Sequence, residues 1–165
     1  MRTLAEKDRA LCSLQASLFE SSLEASDCGS AVFVRRFMRS DLAKRMDKGA
    51  EALEVGDVCR MVREVDLEYS GRCYGSEKYT ANELHWMGYV YRYWCLSYGE
   101  SSKRVYGIVG ARELRALYGP YHTLDAALAI ERIREAKGIR DKDTSLEHYV
   151  RIMREVRARR TGSAD

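Results

Sequence analysis

The 165-residue chain holds a single proline. With so few of the residues that break helices, and strong helix formers throughout, the sequence favours an all-α fold. No apolar run approaches the ~20 residues needed to span a bilayer, and the N-terminus lacks an apolar signal core. These absences predict a soluble cytoplasmic protein with no membrane partner. Metal-ligand spacings such as C-x-x-C and H-x-x-x-H are missing, as is a glycine-rich phosphate loop, so neither cofactor nor metal is expected. The five cysteines (Cys12, Cys28, Cys59, Cys73 and Cys95) are odd in number and far apart. That pattern fits reduced thiols better than a disulfide framework.

What the chain has in abundance is one aromatic stretch. Trp86, Tyr89, Tyr91, Tyr93, Trp94 and Tyr98 crowd between two helix signals. Thr80 and Glu83 form a capping box, with Tyr79 and Leu84 placed as a hydrophobic staple, and Gly99 offers a left-handed stop. Inside, Leu84, Met87, Gly88, Tyr91, Trp94, Cys95 and Tyr98 make one stripe at helical spacing. Trp86, Tyr89, Val90, Tyr93 and Leu96 make a second, leaving little perimeter for water. The stretch reads as a core helix over about 80–98, surrounded by the rest, rather than as an exposed stacking platform. Gly88 weakens a helix by roughly 1 kcal/mol against Ala, which implies that a neighbouring helix crosses closely there.

The length fits one domain able to bury roughly two-thirds of its unfolded-chain surface. The expected architecture is a compact bundle of about seven to eight helices, a single domain over 1–160 with a disordered tail at 161–165. A helix over 4–25 carries Leu4, Leu11, Leu14 and Leu18 on one stripe. Asp27 or Ser30 caps a further helical segment with Phe33, Val34, Phe37 and Met38 inward, though its Val-Phe-Val run leaves a strand open. Ser40 and Asp41 interrupt it before a short helix to Lys48. Asp57 opens another with Val58, Met61, Val62, Val65 and Tyr69 inward, and residues 70–78 are the clearest loop. Beyond the aromatic helix, Ser101 or Ser102 starts a short piece ended by Gly110. Ala111 to Tyr118 is a two-turn helix stopped by Gly119 and Pro120, and Thr123 or Asp125 opens one that runs to Lys137, where Gly138 caps it. Thr144 and Glu147 form a second capping box before a last helix with Leu146, Tyr149, Val150, Met153 and Val156 inward.

Candidate chemistry is sparse. His85, His122 and His148 have no spacing that pairs them with a nucleophile. The segment Pro120-Tyr121-His122-Thr123-Leu124-Asp125 gathers a phenol, an imidazole, a hydroxyl and a carboxylate, and reads as a tight turn whose Thr and Asp cap the next helix. Residues 102–109 and 111–118 have the outline of a helix-turn-helix, but Tyr106 stands where a small residue permits close crossing, and the second helix is short. Charge is uneven: residues 1–100 carry net −2 and residues 101–165 net +5. Arg151, Arg154, Arg157, Arg159 and Arg160 concentrate the excess and are the candidate nucleic-acid contacts, since guanidinium forks suit phosphate. Arg35, Arg36, Arg39, Lys44 and Arg45 form a second basic set that reads as a solvated edge.

The run Met87-Gly88-Tyr89-Val90-Tyr91-Arg92-Tyr93-Trp94-Cys95, with Ser101-Ser102-Lys103, Glu113-Leu114-Arg115-Ala116-Leu117-Tyr118 and Pro120-Tyr121-His122-Thr123-Leu124-Asp125, resembles a family of small bacterial proteins. Ala129-Ile130-Glu131-Arg132-Ile133, Val32-Phe33-Val34-Arg35-Arg36-Phe37-Met38 and Asp41-Leu42-Ala43-Lys44-Arg45 extend the likeness over about residues 30–138. That family is antitoxin-like and encoded beside small toxins of the ADP-ribosyltransferase-like kind. The resemblance implies a non-enzymatic protein whose partner is a cognate toxin, and it supplies no catalytic residues. Within that expectation, segment 101–125 is the candidate contact surface, through Arg104, Arg112, Arg115, Tyr118, Tyr121 and His122. A nucleic-acid-binding regulator using the basic C-terminal helix is the alternative.

Overall fold

The computed structural model describes residues 1–49 and 57–139, which form nine helices and no strand. In order these are α1 (Glu6–Ala25), α2 (Ser30–Phe37), α3 (Asp41–Asp47), α4 (Val58–Glu68), α5 (Ala81–Tyr98), α6 (Ser102–Ile108), α7 (Ala111–Ala116), α8 (Tyr118–Tyr121) and α9 (Ala126–Ala136). The chain divides into two compact units, Met1–Glu131 and Arg132–Asp165. Of the second, residues 132–139 are described: the end of α9 and its stop. There Gly138 takes φ +67°, and Ile139 N–H donates to Arg134 O while Gly138 N–H donates to Glu135 O, both at 2.9 Å. This double closure satisfies the last carbonyls. The basic helix expected over 151–160 and the tail at 161–165 lie outside the described residues.

The first unit is built on α5. Its capping box forms as the sequence requires: Glu83 N–H donates to Thr80 Oγ1 at 3.3 Å and Thr80 N–H to Glu83 Oε2 at 2.7 Å. Gly99 closes the helix at φ +65°. Tyr91 and Trp94 are fully buried; the Tyr91 hydroxyl donates to Val109 O at 2.8 Å and Trp94 Nε1 to Glu100 Oε2 at 2.8 Å. Helix α1 crosses directly over Gly88, where an added Cβ would stand 2.6 Å from Gln15 O and 2.8 Å from Ala16 Cα. The glycine lets two backbones touch. From α1, Phe19 meets Phe33, Phe37 and Tyr91 edge-on at 5.0–6.3 Å, a geometry that matches ring edges to ring faces.

One charge sits inside this core. Arg92 is fully buried and reaches three elements: Nε donates to Gln15 Oε1 (2.8 Å), Nη1 to Asp47 Oδ1 (2.7 Å) and Nη2 to Ser102 Oγ (3.0 Å). Ser102 in turn donates to Asp47 through its N–H (2.9 Å) and hydroxyl (2.6 Å). The guanidinium is thereby paired and hydrogen-bonded, the condition under which a buried charge is tolerated. It fixes α1, α3 and α6 against α5.

Three expectations are corrected. Residues 30–37 form the expected helix without the strand alternative, but its N-cap is Gly29 rather than Asp27 or Ser30. Gly119 and Pro120 do not stop the chain after α7; they lie inside the single turn α8, where proline is compatible because first-turn N–H groups have no intrahelical partner. Cys28 and Cys73 are joined as a disulfide, so the five thiols are not all reduced. The bond ties the loop before α5 to the α1–α2 turn. There Gly29 N–H also donates to Tyr74 O (3.1 Å), Ser30 N–H to Glu77 O (2.8 Å) and Lys78 Nζ to Ser26 O (2.7 Å). No described helix is long and apolar enough to cross a membrane.

Candidate functional site

The perimeter of α5 is not closed. Trp86, Tyr89 and Tyr93 are only half-buried, and Asn82 and His85 are exposed. Asn82, His85, Trp86, Tyr89 and Val90 follow the i, i+3, i+4, i+7, i+8 spacing of one helix face. They line a groove of about 450 Å³ whose other wall is Tyr118, His122, Leu124, Asp125 and Ala126. The second stripe of the sequence is therefore partly a surface. Its rings carry polar atoms that tolerate water at one end.

The far wall is built by α8 and the turn after it. Tyr118 meets the Trp86 ring edge-on at 5.7 Å and stacks on the His122 imidazole at 4.6 Å and 22°. His122 Nδ1 lies 3.0 Å from Tyr118 O and 3.1 Å from Gly119 O. Since carbonyls only accept, Nδ1 carries the proton, and Nε2 is the acceptor in the neutral ring. Asp125 accepts from Ala127 N–H at 2.8 Å and so starts α9. On the near wall, His85 Nδ1 is 2.9 Å from Glu20 Oε2 of α1. The groove thus presents five rings and a carboxylate.

The six contact candidates from segment 101–125 do not converge. Tyr118 and His122 share this groove. Arg112 is exposed and lines a separate groove beside α2. Arg104 is exposed, with Glu100 Oε1 3.3 Å from its Nε. Tyr121 is half-buried within α8, and Arg115 is the clearest departure from the exposed position expected of it. It bridges Glu77 and Glu83 and lies 4.1 Å over the Tyr79 ring, bracing the start of α5. Burial alone would raise the Glu83 carboxyl. The Thr80 N–H and Arg115 outweigh that effect and hold it below the usual carboxylate range.

Two other places gather groups capable of chemistry. Ligand atoms of Cys28, Asp66 and Cys73 lie within 4.8 Å of one another. Buried Arg36, however, donates from Nη1 toward Cys28 Sγ at 3.1 Å and stands 3.8 Å from Asp66 Oδ1. A fixed guanidinium opposes a second cation and suits the sulfur pair instead. A cleft of about 680 Å³ lies between Arg2–Asp8 and Cys95–Ser101. Most of its charged groups are engaged internally, Arg2 with Asp8, Asp47 with Arg92 and Glu100 with Arg104. Burial pushes the thiols of Cys12 and Cys95 up to about 12 and about 11, which makes both poor nucleophiles near neutral pH.

Asn82, His85, Trp86 and Tyr89 were not expected as site residues. The signal was present as two polar residues on the same face as Trp86 and Tyr89. No protein-family model, no curated protein and no solved structure matches the chain.

Proposed function

We propose that this chain is a non-enzymatic interaction protein, an antitoxin-like module that binds and occludes a cognate toxin. The observation that carries the reading is the groove at the amino end of α5, where His85, Trp86, Tyr89, Tyr118 and His122 gather on one open surface. Aromatic residues dominate binding hot spots because they offer large, stiff contact area with a polar tip. The groove has room for one or two side chains of a partner, with Asp125 and the His122 Nε2 to orient them. The kind of partner, a small ADP-ribosyltransferase-like toxin, rests on the sequence resemblance alone.

The test is titration of the purified chain against the toxin-like product of a neighbouring reading frame. His122→Ala and His85→Ala, both at exposed positions, should weaken binding at least about 30-fold, the fold-change of the lowest hot-spot truncation. Their melting temperatures should stay near that of the parent. Unchanged affinity in both variants removes the groove from the interface. The alternative reading, a regulator contacting nucleic acid through Arg151, Arg154, Arg157, Arg159 and Arg160, is supported by the concentration of positive charge in that stretch.

A further inference from the structure

The basic set at 35–45 separates into two kinds once its neighbours are in place. Lys44 pairs with Asp41 at 2.6 Å and Arg45 with Glu64. Arg36 is buried against Cys28 and accepted by Arg72 O. Arg35 and Arg39 differ: among the described residues neither has a carboxylate within 4 Å, and each lies over a tyrosine ring. Arg35 stands 5.6 Å from the Tyr74 centroid and Arg39 5.6 Å from that of Tyr106. Arg112, across from them on α7, is likewise without a carboxylate partner among the described residues.

Arg35 and Arg112 line a groove of about 330 Å³ together with Val32, Tyr74, Tyr106 and Ala111, and Arg39 adjoins it through the Tyr106 ring. No acidic side chain is in that lining. Its floor is small and apolar, its walls are two phenols, and its charged groups are all guanidinium. We propose that this groove holds one nucleotide unit of a single-stranded nucleic acid, the base against Tyr74 and Tyr106 and the flanking phosphates on Arg35, Arg39 and Arg112. The combination of ring faces with arginine forks is what sequence-tolerant single-strand binding uses. The groove is open, whereas a site for a free nucleotide encloses most of its ligand. An acidic peptide would satisfy the arginines and make no use of the two phenol walls.

Tyr74 is held for this role from both sides. Cys73 is tied to Cys28 by the disulfide, the Tyr74 carbonyl accepts from Gly29 N–H at 3.1 Å, and Gly75 lies against the Gly29 backbone. The side chain itself is half exposed, at 51%. The site shares no lining residue with the His85–His122 groove and does not depend on the protein-binding reading.

The experiment is fluorescence anisotropy of a labelled eight-nucleotide oligothymidylate with the full chain, titrated at several salt concentrations. Binding should weaken with salt at about −0.7 log units per log unit for each neutralised phosphate, giving about −2 for three arginines. Arg35→Ala and Arg112→Ala should each make that slope shallower by about 0.7. Tyr74→Leu should lower affinity about 5- to 150-fold with the slope unchanged. Circular dichroism melting of each variant confirms that the fold is kept. Binding that survives all three substitutions and is lost in an Arg151/Arg154/Arg157→Ala variant overturns the proposal in favour of the C-terminal arginines. Equal displacement by free ATP, or by polyglutamate, overturns it in favour of a free nucleotide or an acidic partner. No binding at low salt also overturns it.

Discussion

Gly88→Ala sets two effects of opposite sign against each other in one residue. Within a helix, alanine is favoured over glycine by about 1 kcal/mol. The added methyl would stand 2.6 Å from Gln15 O, 2.8 Å from Ala16 Cα and 3.0 Å from Ala16 N. All three are backbone atoms of α1, so no rotamer change relieves the clash. Restoring ordinary contact requires α1 and α5 to part by about 0.8 Å, and a gap of that size forfeits about a quarter to a half of each dispersion contact it opens. Overpacking costs typically run to about 3 kcal/mol, and the rigid neighbours place this site at the upper end. The net expectation is a loss of about 2 kcal/mol, or a melting temperature lower by about 4–8 °C. Gly107→Ala in α6 is the control, because nothing lies within 4 Å of its added Cβ; it should gain up to about 1 kcal/mol. Thermal and urea denaturation of both variants read the difference. If Gly88→Ala melts at or above the parent temperature while Gly107→Ala behaves as stated, the close crossing of α1 and α5 is wrong.

Trp94→Ala should cost about 3–5 kcal/mol by emptying the centre of α5, and a soluble variant with an unchanged melting temperature would contradict that burial. A thiol reagent at pH 8 should label Cys59 in the native chain, then Cys12 and Cys95 after unfolding without reductant, and all five cysteines after reduction. Because burial raises the Cys12 and Cys95 thiols above their ordinary 9.0, stability should be full below pH 9 and fall as the pH climbs through 11 to 12; a flat alkaline profile counts against those burials. Arg115→Ala should lower stability by about 1–2 kcal/mol through the lost bridge to Glu77 and Glu83. With Glu83 held below its ordinary 4.5, the contribution of that bridge is present above pH 4.5 and lost as the pH falls, so parent and variant should converge in acid.

The local signals were readable because each is decided by neighbours in sequence. Thr80 and Glu83 start α5, Gly99 ends it, and Gly88 marks a crossing whose other member is α1. Ser40, Asp57 and Ser101 open α3, α4 and α6 by accepting the N–H groups that a first turn leaves free. What periodicity cannot report is which distant side chain completes a pair. Arg92 looks like a polar interruption of an aromatic stripe until Gln15, Asp47 and Ser102 surround it. Arg115 looks exposed until Glu77 and Tyr79 come alongside, and Cys28 and Cys73 are separated by 45 residues. The open groove was missed for a related reason. Trp86 and Tyr89 have the size of core residues, and only the identity of Asn82 and His85 beside them betrays water.

The buried guanidinium of Arg92 also bears on how the molecule breathes. Gln15, Asp47 and Ser102 lie 77, 45 and 10 residues from it, so contributions from three separate parts of the chain meet at one cation. Opening α3 or α6 by itself would leave that charge in the core with part of its shell gone, which is costly enough to discourage partial opening. These helices should therefore exchange their amide protons only when the whole unit opens, as one cooperative block. The single turn α8 has no such tether, and its amides should exchange at lower free energy. The wall of the His85–His122 groove would then be the soft side of an otherwise all-or-none structure, free to adjust to what it meets.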